Sequence, residues 1–248
     1  MRYQALIFDL FGTVVLFHPK VPEVPLAGTV RRSTMAWLGE QVEQELPDVP
    51  FDEFLKAMSG VTEEIIRGRH PEYYEVPSRE RFRRVLARLG HDHPRASETA
   101  ERLSLLHMAH LAASTEMPGD HLETLNRLRR SFALGLVSNF DHGPTARAVL
   151  ARNGLTDIFP ATVISAYFGR RKPHPNIFHE ALRQLGVEAS AALFIGDTID
   201  DDVAGARAAG LDVVWINARD VPRPAGAPAP TYTIRRFSEV VALLGLDR

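Results

Sequence analysis

The chain contains no cysteine. Disulfides, thiolate nucleophiles and cysteine-ligated metals are therefore excluded, and a reducing compartment fits. No uninterrupted apolar segment approaches membrane-spanning length, and no basic-then-apolar leader precedes the first apolar run. Charge of one sign is also scarce. Lys and Arg number 29 against 31 Asp and Glu, for a formal net charge of −2. No large basic surface argues for nucleic acid. These absences predict a soluble cytoplasmic protein that partners neither membrane nor nucleic acid. What is present is ordinary for a globular chain. There are 248 residues, 45% apolar and 24% charged, enough for one large domain or two small ones.

One stretch near the start organises the rest: Leu6-Ile7-Phe8-Asp9-Leu10-Phe11-Gly12-Thr13-Val14-Val15. Leu6 to Phe8 read as a strand buried on both faces, the pattern of a parallel sheet. Asp9 then stands at the strand's carboxyl end, where open α/β sheets place their ligands. Gly12 permits a sharp turn, and Thr13 adds a hydroxyl and a loop amide. Alone, Asp9 reads equally well as a turn-capping residue.

Downstream, three prolines between Pro19 and Pro25 break regular structure and read as a linker. From about Ala27 to Ala113 the spacing is helical and contains no strand-like run. Met35, Leu38, Val42 and Leu46 mark one helix over 34–46. A second starts at Phe51. Ser78 caps a third that ends at Gly90, and a fourth spans 95–113. Strands and helices then alternate: strands over 132–137, 161–166, 192–195, 212–216 and 231–234, with helices opening at Pro144 and Pro175 and others over 203–209 and 237–244. This order predicts an α/β protein, a Rossmann-like doubly wound parallel sheet core with an inserted α-helical cap domain. Residues 1–16 and 117–248 form the core, and residues 17–116 form the helical domain.

Four short stretches fall at strand ends or helix starts of the α/β part: Asp9 to Thr13, Ser138-Asn139, Lys172-Pro173, and Gly196-Asp197 through Asp202. In a doubly wound sheet such ends converge on one crevice. A carboxylate can attack as a nucleophile, hydroxyls and amides can hold phosphate oxygens, a lysine can neutralise charge, and an acidic cluster can hold a hard cation such as Mg²⁺.

In order and spacing these stretches resemble the haloacid dehalogenase superfamily, mostly Mg²⁺-dependent phosphohydrolases, over nearly the whole chain. The resemblance implies that Asp9 is the nucleophile that forms an aspartyl-phosphate. Lys172 becomes the lysine that stabilises it. Thr13, Ser138 and Asn139 become substrate-binding residues. It implies a Mg²⁺ site from Asp9, the backbone carbonyl of Phe11, Asp197 and Asp202, with Asp201 competing for the last role. It also implies a helical cap that selects a small phosphorylated metabolite.

Phe11 departs from the pattern, because most phosphatases of the superfamily carry there the aspartate that protonates the leaving group. General acid–base help is worth roughly 10²–10⁴-fold in rate. An aromatic residue at this position resembles the 2-haloacid dehalogenase branch, whose halide leaves without a proton. Asp197 opposes that reading, since those enzymes use no metal. A non-catalytic family member is the third reading. A lysine Schiff base, as in phosphonoacetaldehyde hydrolase, would fall to Lys56, which reads more simply as a solvated helix lysine. The pairs His91/His93 (with Asp92) and His107/His110 read as loop or helix surface. Arg67, Arg69 and His70 read as a solvated helix end, and Arg79, Arg81, Arg83, Arg84 and Arg88 as an exposed helix face.

Overall fold

The computed structural model describes residues 2–17, 22–26 and 29–246. The chain divides into two compact units, Met1–Phe17 with Glu116–Arg248, and His18–Thr115. In chain order come β1 (Ala5–Phe8), β2 (Leu16–Phe17), β3 (Glu23–Leu26), β4 (Thr29–Arg32) and a 3₁₀ segment Thr34–Leu38. Four helices follow: α1 (Gly39–Glu45), α2 (Phe51–Arg67), α3 (Ser78–Arg88) and α4 (Pro94–Ala113). The remainder is β5 (Thr115–Glu116), α5 (Gly119–Leu128), β6 (Ala133–Ser138), α6 (Gly143–Arg152), β7 (Ala161–Ile164), α7 (Ser165–Phe168), α8 (Pro175–Leu185), β8 (Ala192–Gly196), α9 (Ala204–Ala208), β9 (Asp212–Ile216), β10 (Tyr232–Ile234) and α10 (Glu239–Leu243).

The first unit is built on a six-stranded sheet in the order β10-β9-β8-β1-β6-β7, with every pairing parallel. β1 is fully buried because its four residues, Ala-Leu-Ile-Phe, have a strand on each side and side chains packed on both faces. Ile7 joins the cluster of Ile177 and Phe178 from α8. On the other face Phe8 packs against Phe159 and Phe237, with ring centroids 5.9 and 5.7 Å away. The register sets Phe8 level with Leu136 of β6 and Ile195 of β8. Asp9 after β1, Ser138 and Asn139 at the end of β6, and Asp197 after β8 therefore emerge together at the carboxyl edge. The chain leaves β1 towards β6 and β7, then returns to β8 on its other side. That reversal is the switch point where a doubly wound sheet opens a crevice.

The second unit packs its helices around one apolar cluster. Leu38, Val42, Phe54, Val61, Phe82, Leu86 and Leu103 are buried in it. α2 shows the pattern plainly: Phe54, Leu55, Met58, Val61 and Ile65 repeat at helical spacing, and Asp52 and Glu53 sit in its first turn where the helix dipole favours negative charge.

Several expected boundaries move. Residues 18–21 of the expected linker lie outside the described residues, but Glu23–Leu26 is a strand paired antiparallel with Thr29–Arg32. Pro25 is tolerated because a two-stranded ribbon leaves each strand one edge without a ladder. The unit is therefore not purely helical. The helix expected over 34–46 splits, because the Ser33 hydroxyl accepts from the Met35 amide and starts a 3₁₀ turn before α1. Ser78 is the first residue of α3, not its cap. Its hydroxyl is buried and accepts a hydrogen bond from Ser104 at 2.9 Å. The strand expected over 161–166 stops at Ile164, and the helix expected over 203–209 begins with a wider turn over Ile199–Val203. No helix among the described residues is long and apolar enough to cross a membrane.

Candidate active site

Asp9 is carried by the strand that precedes it, and its own amide continues the ladder by donating to the Ile195 carbonyl at 2.9 Å. The backbone then folds back at once. The Val14 and Val15 amides donate to the Leu10 carbonyl, and the Gly12 amide donates to Val15. Gly12 has φ +98, and a Cβ there would stand 2.6 Å from Asp197 Oδ2. Only glycine provides both the conformation and the room.

The turn aims the Asp9 carboxylate at Lys172. Lys172 is 2% exposed, and its ammonium donates to Asp9 Oδ1 at 2.6 Å, Asp202 Oδ1 at 2.7 Å and the Val137 carbonyl at 3.2 Å. All three protons are therefore used. Asn139 fixes the lysine from behind. Its Oδ1 accepts from the Lys172 amide at 2.7 Å, and its Nδ2 donates to the Lys172 carbonyl at 3.0 Å and to Asp201 Oδ2 at 3.1 Å.

Asp202 is the hub of the second acidic stretch. Its Oδ2 accepts from the amides of Asp197 and Thr198 and from the Thr198 hydroxyl, at 3.1, 2.9 and 2.7 Å. The Asp202 and Val203 amides both return to the Thr198 carbonyl, which winds the wider turn before α9. Gly196 leaves room for this carboxylate, since a Cβ there would lie 2.5 Å from Asp202 Cγ. Asp197 is held by its backbone, with its carbonyl accepting from Trp215 Nε1 at 3.0 Å. Its own carboxylate accepts from the Thr13 hydroxyl at 3.5 Å.

Asp9, Asp197 and Asp202 each offer one oxygen within 4.8 Å of the others. Burial pushes the Asp9 carboxyl up to about 7; the charge of Lys172 pulls against it, and Asp202 and Asp197 add to the rise. Burial and the charge of Asp202 push Asp197 up to about 6. Burial also raises Asp201, against the pull of Arg171 and Lys172. For Lys172 burial opposes the charged form, but the charges of Asp202 and Asp9 prevail and hold it above its ordinary range. Asp9 Oδ2 is buried with no hydrogen-bond partner. Three carboxylates against one ammonium make a donor set that a divalent cation fits.

A cavity of about 310 Å³ opens on this cluster. Asp9, Lys172, Asn139, Asp197, Asp201 and Asp202 line one part of it, and Phe11, Phe17 and Phe140 line another. Thr13 and Ser138 do not line it. Both are buried beside it, and the Ser138 hydroxyl has no partner. The structure thus brings Asp9, Phe11, Asn139, Lys172, Asp197, Asp201 and Asp202 onto one cavity, with Thr13 and Ser138 buried beside it, and gives Asn139 a scaffolding position. Phe17, Phe140 and Arg171, also on the cavity wall, carry no sequence signal that would have marked them.

The other sequence candidates fall elsewhere. Lys56 is exposed and pairs with Asp52 at 2.8 Å. The His107 ring nitrogen lies 2.8 Å from the Thr34 hydroxyl, and His110 stacks on Trp37. Arg79, Arg83, Arg84 and Arg88 are exposed, while Arg81 is partly buried. Among the described residues no cluster of metal-ligating side chains other than Asp9, Asp197 and Asp202 is found.

The sequence pattern of haloacid dehalogenase-like hydrolases matches residues 3–210. The chain is 30% identical over 217 residues to the glyceraldehyde 3-phosphate phosphatase of Methanopyrus kandleri, covering 86% of this chain and 83% of that protein. It is 35% identical over 161 residues to the pyrimidine 5'-nucleotidase YjjG of Escherichia coli, covering 61% of this chain and 70% of that protein. In fold it matches the 2-haloacid dehalogenase of Pseudomonas syringae with a TM-score of 0.76, at 24% identity and 98% coverage of both chains.

Proposed function

Because the chain belongs to the haloacid dehalogenase-like hydrolases, we propose that it is a Mg²⁺-dependent phosphohydrolase of a small phosphorylated molecule, with Asp9 as nucleophile. The observation that carries this reading is the buried, unpartnered Asp9 Oδ2 inside a cluster of three carboxylates and one lysine. A site that released halide without metal would have no use for Asp197. Relatives at 30% and 35% identity with phosphatase and nucleotidase names support the same chemistry.

Asp9, Asp197 and the Phe11 carbonyl are assigned to hold the ion. Asp202 belongs to the same cluster, but its oxygens already accept four hydrogen bonds, so its part is to orient Lys172 and the Asp197 loop. A Mg²⁺ held there would supply charge neutralisation for the phosphoryl oxygens. Lys172 ties down Asp9 Oδ1, which leaves Oδ2 as the attacking atom. The Lys172 charge opposes the burial that raises the Asp9 carboxyl. The hydroxyls of Thr13 and Ser138, both buried beside the cavity, are assigned to the phosphoryl oxygens. Water then hydrolyses the aspartyl-phosphate and returns the carboxylate. The helical unit is assigned the role of the cap.

The test is inorganic phosphate release from a panel of phosphate monoesters by the wild type with Mg²⁺, by the wild type with EDTA, and by Asp9→Asn. Release that needs both Mg²⁺ and Asp9 is expected. The Phe11 ring favours one rival: a halide leaves without a proton. Halide release from 2-haloacids in EDTA, with no phosphate release from any ester, would replace the phosphohydrolase by that dehalogenase.

A further inference from the structure

The cavity beside Asp9 has a wall built only of rings. Phe11 stacks on Phe140 with centroids 4.5 Å apart and planes 26° apart, and on Phe17 at 5.3 Å and 18°. The column runs from Phe140, which is buried, through Phe11 to Phe17, which is 42% exposed. Phe140 is locked in place because its amide donates to the buried Ser165 hydroxyl at 2.9 Å. The column is therefore rigid at one end and open at the other.

The polar wall opposite has few protons to give. Lys172 spends its three on Asp9, Asp202 and the Val137 carbonyl. The Thr198 hydroxyl donates to Asp202, and the Asn139 amide donates to Lys172 and Asp201. Arg171 carries a guanidinium, which does not release a proton in this range. A leaving oxygen placed against the rings would have to depart as an anion.

We propose that the site selects phosphate esters whose leaving group is a flat, weakly basic oxyanion, aryl phosphates foremost, with the leaving group lying against the Phe11–Phe17 rings. This rests on the phosphohydrolase reading. Asp9 Oδ2 forms the bond to phosphorus, the bond from phosphorus to the leaving oxygen breaks, and its electron pair leaves on that oxygen as aryloxide. Water then adds to phosphorus, the bond from Asp9 Oδ2 to phosphorus breaks with its electron pair returning to the carboxylate, and both water protons leave with the phosphate. Phe17, the exposed end of the column, contributes binding by offset stacking, which is worth about 1 kcal/mol for a well-placed pair.

The test compares kcat/KM, which reports the steps through leaving-group departure, for four probes with Mg²⁺. p-Nitrophenyl phosphate has a ring and a good leaving group, and phenyl phosphate has a ring and a poorer one. Acetyl phosphate has a good leaving group and no ring, and glycerol 3-phosphate has neither. The wild type is expected to prefer p-nitrophenyl phosphate over glycerol 3-phosphate by roughly 10²–10⁴-fold, the size of missing acid catalysis. Phe11→Asp should narrow that ratio by at least about tenfold. Phe17→Ala, at an exposed position, should lower p-nitrophenyl phosphate relative to acetyl phosphate by about fivefold, the equivalent of one stacking contact. A wild-type ratio below about tenfold would overturn the proposal and point to Asp201 as proton donor. Equal losses for the ring and ringless probes in Phe17→Ala would overturn the ring subsite. Phosphate release from no probe at all would instead overturn the phosphohydrolase reading beneath it.

Discussion

Lys172→Met tests the electrostatics of the site without changing its volume much. The ammonium lies 2.6 Å from Asp9 Oδ1 and 2.7 Å from Asp202 Oδ1, and the three side chains are all buried. Removing it leaves two carboxylates with oxygens within 4.8 Å of each other, a repulsion of about 3–4 kcal/mol at an effective dielectric near 20. Breaking a buried pair by deleting one partner typically costs about 3–5 kcal/mol, and the two figures agree. The loss must depend on pH. In the variant the carboxyl pair has a folded pKa raised above its unfolded value, so the folded state binds more protons and stability falls as pH rises through that window. The measurement is urea unfolding of wild type and variant in EDTA at pH 8, 7 and 6. The deficit should be about 3–5 kcal/mol at pH 8 and should shrink by about 1 kcal/mol or more at pH 6. A variant within about 1 kcal/mol of wild type at every pH would refute the claim that Lys172 compensates both acids.

Three further outcomes follow from particular contacts. His107 is held down at about 3 by burial, with the Arg81 and His110 charges adding; its stability contribution is present above its unfolded value near 6.5 and lost as pH falls towards 3. His107→Gln, which does not titrate, should gain about 2 kcal/mol on the wild type between pH 7 and pH 5 in paired urea titrations. Gly12→Ala places a Cβ 2.6 Å from Asp197 Oδ2 at φ +98. It should lose about 1–2 kcal/mol of stability and most of the Mg²⁺-induced rise in melting temperature, read by thermal shift. Stopped-flow mixing with p-nitrophenyl phosphate should give a burst of nitrophenolate equal to the enzyme concentration, because Phe11 offers no base for the water that must follow; a linear trace from time zero would contradict this.

The carboxyl edge that carries the candidate site was legible in the sequence where one residue type had one job. Leu6-Ile7-Phe8 could only be a doubly buried strand, so Asp9 had to stand at its end. Lys172 before a predicted helix and Asp197 after a predicted strand fell at element ends that converge in a doubly wound sheet, and the family resemblance joined them to Asp9. The hairpin Glu23–Leu26 with Thr29–Arg32 was hidden because Pro22 and Pro25 read as breakers, whereas a two-stranded ribbon accepts proline on its free edges. Ser78 looked like a cap because a serine before a helix usually is one; its partner, Ser104, lies 26 positions away. The same non-local logic hid the ring column. Phe17 and Phe140 meet Phe11 only once β1 and β6 pair, and nothing in their own neighbourhoods marks them. Asn139 was found, but its clasp on Lys172 could not be read from spacing, because it depends on the register of β6 against the loop before α8.

The covalent step is the centre of the account, and rapid acid quench tests it. The enzyme is mixed with Mg²⁺ and p-nitrophenyl phosphate, quenched within the burst, digested and sequenced by mass spectrometry. One acid-stable, hydroxylamine-sensitive phosphoryl group on Asp9, absent with EDTA and absent in Asp9→Asn, is the predicted result. Phosphate release that proceeds without any modification of Asp9 would contradict it.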